Sequence, residues 1–247
     1  MKNPFAIGQN DEVTRVGQVF GTPLIVRGLT WLPLIEIVTW LVMAWQAGKR
    51  RPERSWAGRA GVAALTMPVL LGSELCHNLA HAAAARAIGK PMDAMRVAWG
   101  MPLCVYYDIN DASVTPRQHI MRSLGGPLFN LLALGIAIVA RTFTRTGSTS
   151  REVVDVAVGM NAFLSGVSWL PLPGIDGGSI LKWTLVENGQ TVEQADETVR
   201  RANGPLAAAL SFGSFLAVWK RRWLAGGFMA LLAGVAFGIA KGFIKEQ

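Results

Sequence analysis

Residues 61–88 read GVAALTMPVLLGSELCHNLAHAAAARAI. A helix needs about 20 residues to cross a bilayer, and this stretch has them. Three chemically active side chains sit late in the run: Glu74, His77 and His81. The four-residue spacing of the histidines stacks them on one helical face, about 6 Å apart at the base. A turn of about 100° per residue puts Glu74 and both histidines within an arc of about 60°. A charge at the centre of a span costs at least about 2.5 kcal/mol on insertion scales. Three such groups on one face therefore need a shared partner, either a divalent cation or a water-filled cavity. Neutral imidazole suits zinc, and catalytic zinc keeps three protein ligands and one open position. The competing reading is that the histidines hydrogen-bond to neighbouring helices.

The rest of the chain supports a membrane setting. It has 247 residues, 51% apolar and only 16% charged, where soluble domains carry about 25% charged residues. Apolar runs predict spans at roughly 29–47, 61–88, 121–140, 153–172, 204–219 and 223–243. The expected fold class is an all-α polytopic membrane protein with about six transmembrane helices. A short β-hairpin or strand region at the membrane face is expected at 94–107, where apolar and polar residues loosely alternate. The expected organisation is an N-terminal interfacial segment, 1–22, followed by a single transmembrane domain, 23–247. Val13–Phe20 also alternates loosely, which allows a short strand. The first 20 residues lack an apolar run, so the first span is expected to act as the targeting element. Gly89 and Pro91 end the second span, and Thr115-Pro116 opens the next helix. The polar stretch 176–203 reads as a solvated loop with an amphipathic helix.

The formal net charge is +8. Lys49, Arg50, Arg51, Arg54 and Arg59 cluster just outside apolar runs, a placement that suits lipid headgroups and topology control. Aromatic residues are not interleaved with them for base stacking, so no nucleic-acid partner is expected. Basic residues concentrate in the short loops 49–59, 141–151 and 220–222, and others, including Arg86, Lys90 and Arg117, lie on the opposite side. This distribution leaves orientation open. Cys76 and Cys104 form no C-x-x-C pair, which argues against a thiolate zinc site.

A second feature lies at Trp169-Leu170-Pro171-Leu172-Pro173-Gly174-Ile175-Asp176-Gly177-Gly178. Two prolines break the helix and free backbone carbonyls. Irregular backbone at membrane depth is tolerated where it is buried in protein or lines a cavity. Asp176 is a natural third metal ligand there, or else an ordinary turn aspartate at a helix exit. Asn130 lines a cavity or joins helices. His119, at the entry to the third span, reads as an interface residue.

These stretches together resemble the site-2 protease family of intramembrane zinc metalloproteases. Glu74 to His81, with Arg86 and Gly89, resembles the family's zinc-binding helix. Pro171 to Gly178 resembles its Pro-rich break before Asp-Gly-Gly. Gly125-Gly126-Pro127-Leu128-Phe129-Asn130 resembles the Gly-Pro…Asn signature of the third core helix. Gly17 to Pro23 resembles the lead-in to the first span of six-helix members. The resemblance implies zinc held by His77, His81 and Asp176. It implies hydrolysis of a peptide bond in or near a transmembrane helix. The implied partners are the bilayer and a transmembrane or membrane-anchored protein substrate. The implied location is multi-pass in a membrane, with a bacterial inner membrane expected.

Two positions depart from the family pattern. The family carries a glutamate general base directly after the first histidine, where this chain has Asn78. An amide is no base at neutral pH, and losing a positioned base typically costs about 10²–10⁴ in rate. Eight residues before Asp176 the family usually has an asparagine that helps hold the substrate, and this chain has Ser168. Glu74, one turn before His77, is a possible substitute base or an orienting partner of an imidazole. The sequence therefore allows an impaired protease, a zinc-binding pseudoprotease that binds a transmembrane segment, or a metal-dependent membrane enzyme of different chemistry.

Overall fold

Two tight turns built from an aromatic residue and a glycine start the fold. A computed structural model of the chain describes residues 8–244, so the first seven positions of the expected interfacial segment lie outside the described residues. Phe20 and Gly21 take positive φ angles of 48° and 77°. They close a hairpin of β1 (Thr14–Val19) and β2 (Thr22–Val26). Trp99 and Gly100, at 52° and 97°, close a second hairpin of β3 (Ala94–Ala98) and β4 (Met101–Val105). Positive φ at both central residues gives the turn twist that matches paired strands. The strands form one sheet in the order β1-β2-β3-β4, with β2 and β3 parallel and Leu24 opposite Met95. The hairpin expected at 94–107 is therefore half of a four-stranded sheet, and the alternation at 13–20 is its edge.

Among the described residues seven α-helices form: α1 (Leu34–Arg50), α2 (Trp56–Ala87), α3 (Pro116–Thr142), α4 (Thr149–Ser168), α5 (Asp176–Glu187), α6 (Val192–Trp219) and α7 (Trp223–Ala240). Their ends obey local chemistry. Ser55 caps α2 by accepting from the Gly58 amide at 3.2 Å. The helix stops where Gly89 turns left-handed (φ 71°) and the Lys90 amide reaches back to the Ala85 carbonyl at 3.0 Å, a Schellman closure. Thr115 and Gln118 cap α3 reciprocally, with Pro116 at the first helical position.

Among the described residues, five helical segments are long and apolar enough to cross a membrane: Gly28–Arg50, Trp56–Ala87, Pro116–Thr142, Val192–Trp219 and Trp223–Ala240. The run expected at 153–172 is helical as α4, but it falls outside that set. The expectation at 176–203 needs correction, because it holds α5 and the first turns of α6 instead of a loop with one helix. A capping box at Thr191 and Gln194 starts α6, well before the apolar run that suggested position 204. Pro205 sits within α6 without ending it.

Contacts divide the chain into two compact units: residues up to 109 with 124–167, and residues 110–123 with those from 168 onward. In the first unit the sheet packs on the end of α2, where Ala82, Met92 and Met95 cluster with Leu79 and Cys104. In the second, α6 and α7 form a hairpin around Leu172, Ala207, Ala236 and Ile239. Gly226 allows their close approach, since a Cβ there would lie 2.6 Å from Val218.

The distribution of polarity is inverted relative to a water-soluble fold. Leu132, Ile136, Phe212, Phe215 and Leu231 are each more than 60% exposed. Ser73, Asn78, His81, Asn130, Asn161 and Asn203 are buried. Apolar side chains facing outward along span-length helices need hydrocarbon around them. The chain is an integral membrane protein.

Candidate metal centre

On α2 the two histidine rings face one another edge to face, with centroids 4.7 Å apart and planes at 80°. Their Nε2 atoms are 3.1 Å apart. At that distance one Nε2–H can donate to the other Nε2, or both nitrogens can face one metal ion. Two tetrahedral zinc ligands at ordinary bond lengths stand about 3.3 Å apart, so the spacing fits one shared ion. His77 and His81 lie under α3 at Gly125-Gly126. A Cβ on Gly125 would meet the Ala80 carbonyl at 2.5 Å, and one on Gly126 would stand 2.4 Å from both His77 Cε1 and His81 Nε2. The glycine pair lets α3 approach α2 closely, with Gly126 against both imidazoles.

A ladder of buried side chains sets the outer histidine. Asn130 Oδ1 accepts from His77 Nδ1 at 2.5 Å, which leaves the Nε2 lone pair for a ligand. Asn130 is fully buried, and its amide donates to Asn161 Oδ1 at 2.8 Å. Asn161 in turn donates to Ser73 Oγ at 3.1 Å. Helices α2, α3 and α4 are thereby linked through one imidazole. Partners of this kind fix the tautomer and orientation of a metal-binding histidine. On the other ring, the Gly126 amide reaches His81 Nδ1 at 3.4 Å, the long limit of such a bond. Asn161 and Ser73 escaped the sequence reading. The available signal was a carboxamide inside an apolar helix, which is costly unless partnered.

Asp176 is the first residue of α5, where backbone amides and the helix dipole favour an anion. The Pro-rich segment before it folds back over the start of the helix. Its Pro171 carbonyl, freed from a helical ladder, accepts from Asn203 of α6 at 2.8 Å. A Cβ on Gly177 would lie 2.5 Å from Trp169 backbone, and one on Gly178 would lie 2.2 Å from the Leu172 carbonyl. Asp-Gly-Gly is thus the sequence that lets the fold-back close. His77 and His81 thus present their ring nitrogens side by side in the first unit, and Asp176 heads α5 in the second.

The remaining expected residues are placed as follows. Asn78 is buried; its amide donates to the Glu74 carbonyl at 3.0 Å and its Oδ1 accepts from the Cys104 thiol of β4 at 3.2 Å. Asn78 therefore joins the helix to the sheet. Glu74 is half-buried. Ser168 ends α4 and is buried. Cys76 and Cys104 are free thiols. His119 stacks on Trp183 with centroids 3.6 Å apart, and its Nδ1 accepts from Arg122 at 2.7 Å. That burial accords with an interface role.

The architecture resembles a solved structure, the site-2 protease from Methanocaldococcus jannaschii, with a TM-score of 0.52 over 90% of this chain and 94% of that one. This chain has the fold of a site-2 protease. Sequence identity across that match is 14%. A curated relative from the same organism, named "Putative zinc metalloprotease", is 30% identical over 70 residues. That match covers 28% of this chain and 37% of the relative's length. No protein-family model matches the chain.

Proposed function

We propose that this site-2-protease-like protein holds a zinc ion with His77, His81 and Asp176 and engages a transmembrane or membrane-anchored protein segment, with peptide hydrolysis impaired by Asn78. The observation that supports the metal is the 3.1 Å approach of the two Nε2 atoms on one helix face. Asp176 adds the anionic charge that two neutral imidazoles lack. Bound zinc supplies Lewis-acid polarisation of a carbonyl and activation of water. The chain's own residues orient that chemistry. Asn130 holds the His77 tautomer, Asn161 holds Asn130, and the dipole of α5 favours ionised Asp176.

A carboxylate directly after His77 is what the sequence lacks. Asn78 stands in the family's base position, and its amide is engaged by Glu74 and Cys104. This engagement favours a second reading, a pseudoprotease that retains the metal and binds a transmembrane helix without cutting it. Glu74 is the remaining carboxylate of the helix face and is proposed as a weak substitute base. The relative's zinc metalloprotease name and the fold support the first reading, and a bacterial inner membrane is the proposed location.

Restoring the acid decides between the two. Asn78→Glu, assayed on a membrane-anchored reporter peptide, should raise cleavage by about 10²–10⁴ if only the base is missing. No gain in a variant that still binds zinc leaves the pseudoprotease reading. Glu74→Gln should abolish residual hydrolysis, and unchanged turnover would remove Glu74 from the reaction.

A further inference from the structure

Away from the histidines, three arginines meet at three helix ends. Arg50 is the last residue of α1, Arg141 lies at the end of α3, and Arg151 lies in the first turn of α4. They line a cavity of about 510 Å³ together with Asp155, within the range of about 300–1,000 Å³ of small-molecule sites. The carboxylate is already committed. Asp155 Oδ1 accepts from Arg141 Nε at 2.6 Å and pairs with Arg151 Nε at 3.3 Å. Arg151 also donates to the Arg141 and Thr144 carbonyls. Arg141 and Arg151 thus share Asp155, while Arg50 adds a third guanidinium to the cavity lining and acts on Glu152, which Arg51 and Arg54 also pair, so positive charge remains for an anion.

The other wall is apolar. Ile138 of α3 and Val158 and Gly159 of α4 continue the cavity along the helices, and the space at Gly159 is open to 4 Å. A single groove therefore runs from hydrocarbon-facing turns to a basic rim. The span-length segments Gly28–Arg50, which includes α1, and Pro116–Thr142, which is α3, both end here, so the rim stands where span-length helices end. Basic pockets between transmembrane helices bind anionic lipid headgroups.

We propose that this cavity is a binding site for an anionic phospholipid, its phosphate at Arg50 and Arg151 and an acyl chain along Ile138 and Gly159. A free phosphate would use the rim alone and would gain nothing from the apolar wall.

The test is native mass spectrometry of the full chain released from nanodiscs of mixed phosphatidylglycerol and phosphatidylcholine. Wild type should retain phosphatidylglycerol at least about fivefold over phosphatidylcholine, and Arg50→Gln should lower that retention about fivefold, the weight of one interfacial arginine. Arg50→Lys should keep most of it. Gly159→Leu fills the apolar wall and should remove the retained lipid while the helical circular dichroism is unchanged. Equal retention of the two lipids by wild type would overturn the site. So would Arg50→Gln and Gly159→Leu proteins that both retain lipid as wild type does. Inorganic phosphate in place of lipid tells the sources apart. Phosphate binding that stabilises wild type and Gly159→Leu equally, with no lipid preference, would make this a free-anion site and defeat the proposal.

Discussion

Helices α2 and α7 are both long enough to span a bilayer, yet they bury different chemistry. Helix α7 buries Gly226, Ala233, Ala236, Gly238 and Ile239 and carries no ionisable side chain. Helix α2 buries Thr66, Ser73, Asn78 and His81 among its alanines. In α7 the buried face serves close approach, as small residues do between membrane helices. In α2 it serves a polar constellation, which hydrocarbon tolerates only when each member has a partner. Length and hydropathy find both helices, whereas the buried face separates a packing helix from a chemical one.

That contrast makes graded predictions. The largest effect belongs to Gly126→Ala. Its Cβ would lie 2.4 Å from both imidazoles, so the rings must move and zinc affinity should fall by more than about 100-fold. Gly135→Ala on the same helix has open space and should leave metal binding unchanged. Competition with a chelator measures both variants. Asn130→Ala frees the His77 tautomer and should weaken zinc about 10–100-fold. Asn161→Ala acts one step further out and should cost less, while Ser73→Ala, at the end of the ladder, should cost least. A reversed order in the same titration would break the ladder as drawn. On α7, Gly226→Val should act on stability alone, by about 1–3 kcal/mol from overpacking against Val218. Thermal unfolding in detergent reads that loss, and zinc content should not change.

Much of the fold was legible because membrane spans are written in long apolar runs. Helical segments run through most of each expected stretch, although α4 stops at Ser168 before the Pro-rich break, and Gly89 and Thr115-Pro116 mark ends where local capping dictates them. The start of α6 was obscured because Glu193, Asp196 and Glu197 look like a solvated loop, and the Thr191–Gln194 capping box outweighed that polarity. The four-stranded sheet was only half visible, since the parallel pairing of β2 with β3 joins segments separated by two helices. At the site, the histidine spacing and the Pro-rich break were readable from chemistry and spacing. The ladder through Asn161 and Ser73 was not, because it depends on which faces of α3 and α4 turn toward His77. The engagement of Asn78 by Cys104 was hidden for the same reason, as it needs β4 to pack on α2.

The central claim is that His77, His81 and Asp176 serve one ion. Elemental analysis of the purified, detergent-solubilised chain, compared with Asp176→Ala, tests it most directly. The account predicts about one zinc per wild-type chain and little in the variant, with helical content unchanged in both. Wild-type protein that takes up no zinc when it is offered would contradict it, as would an Asp176→Ala chain that binds zinc as tightly as wild type.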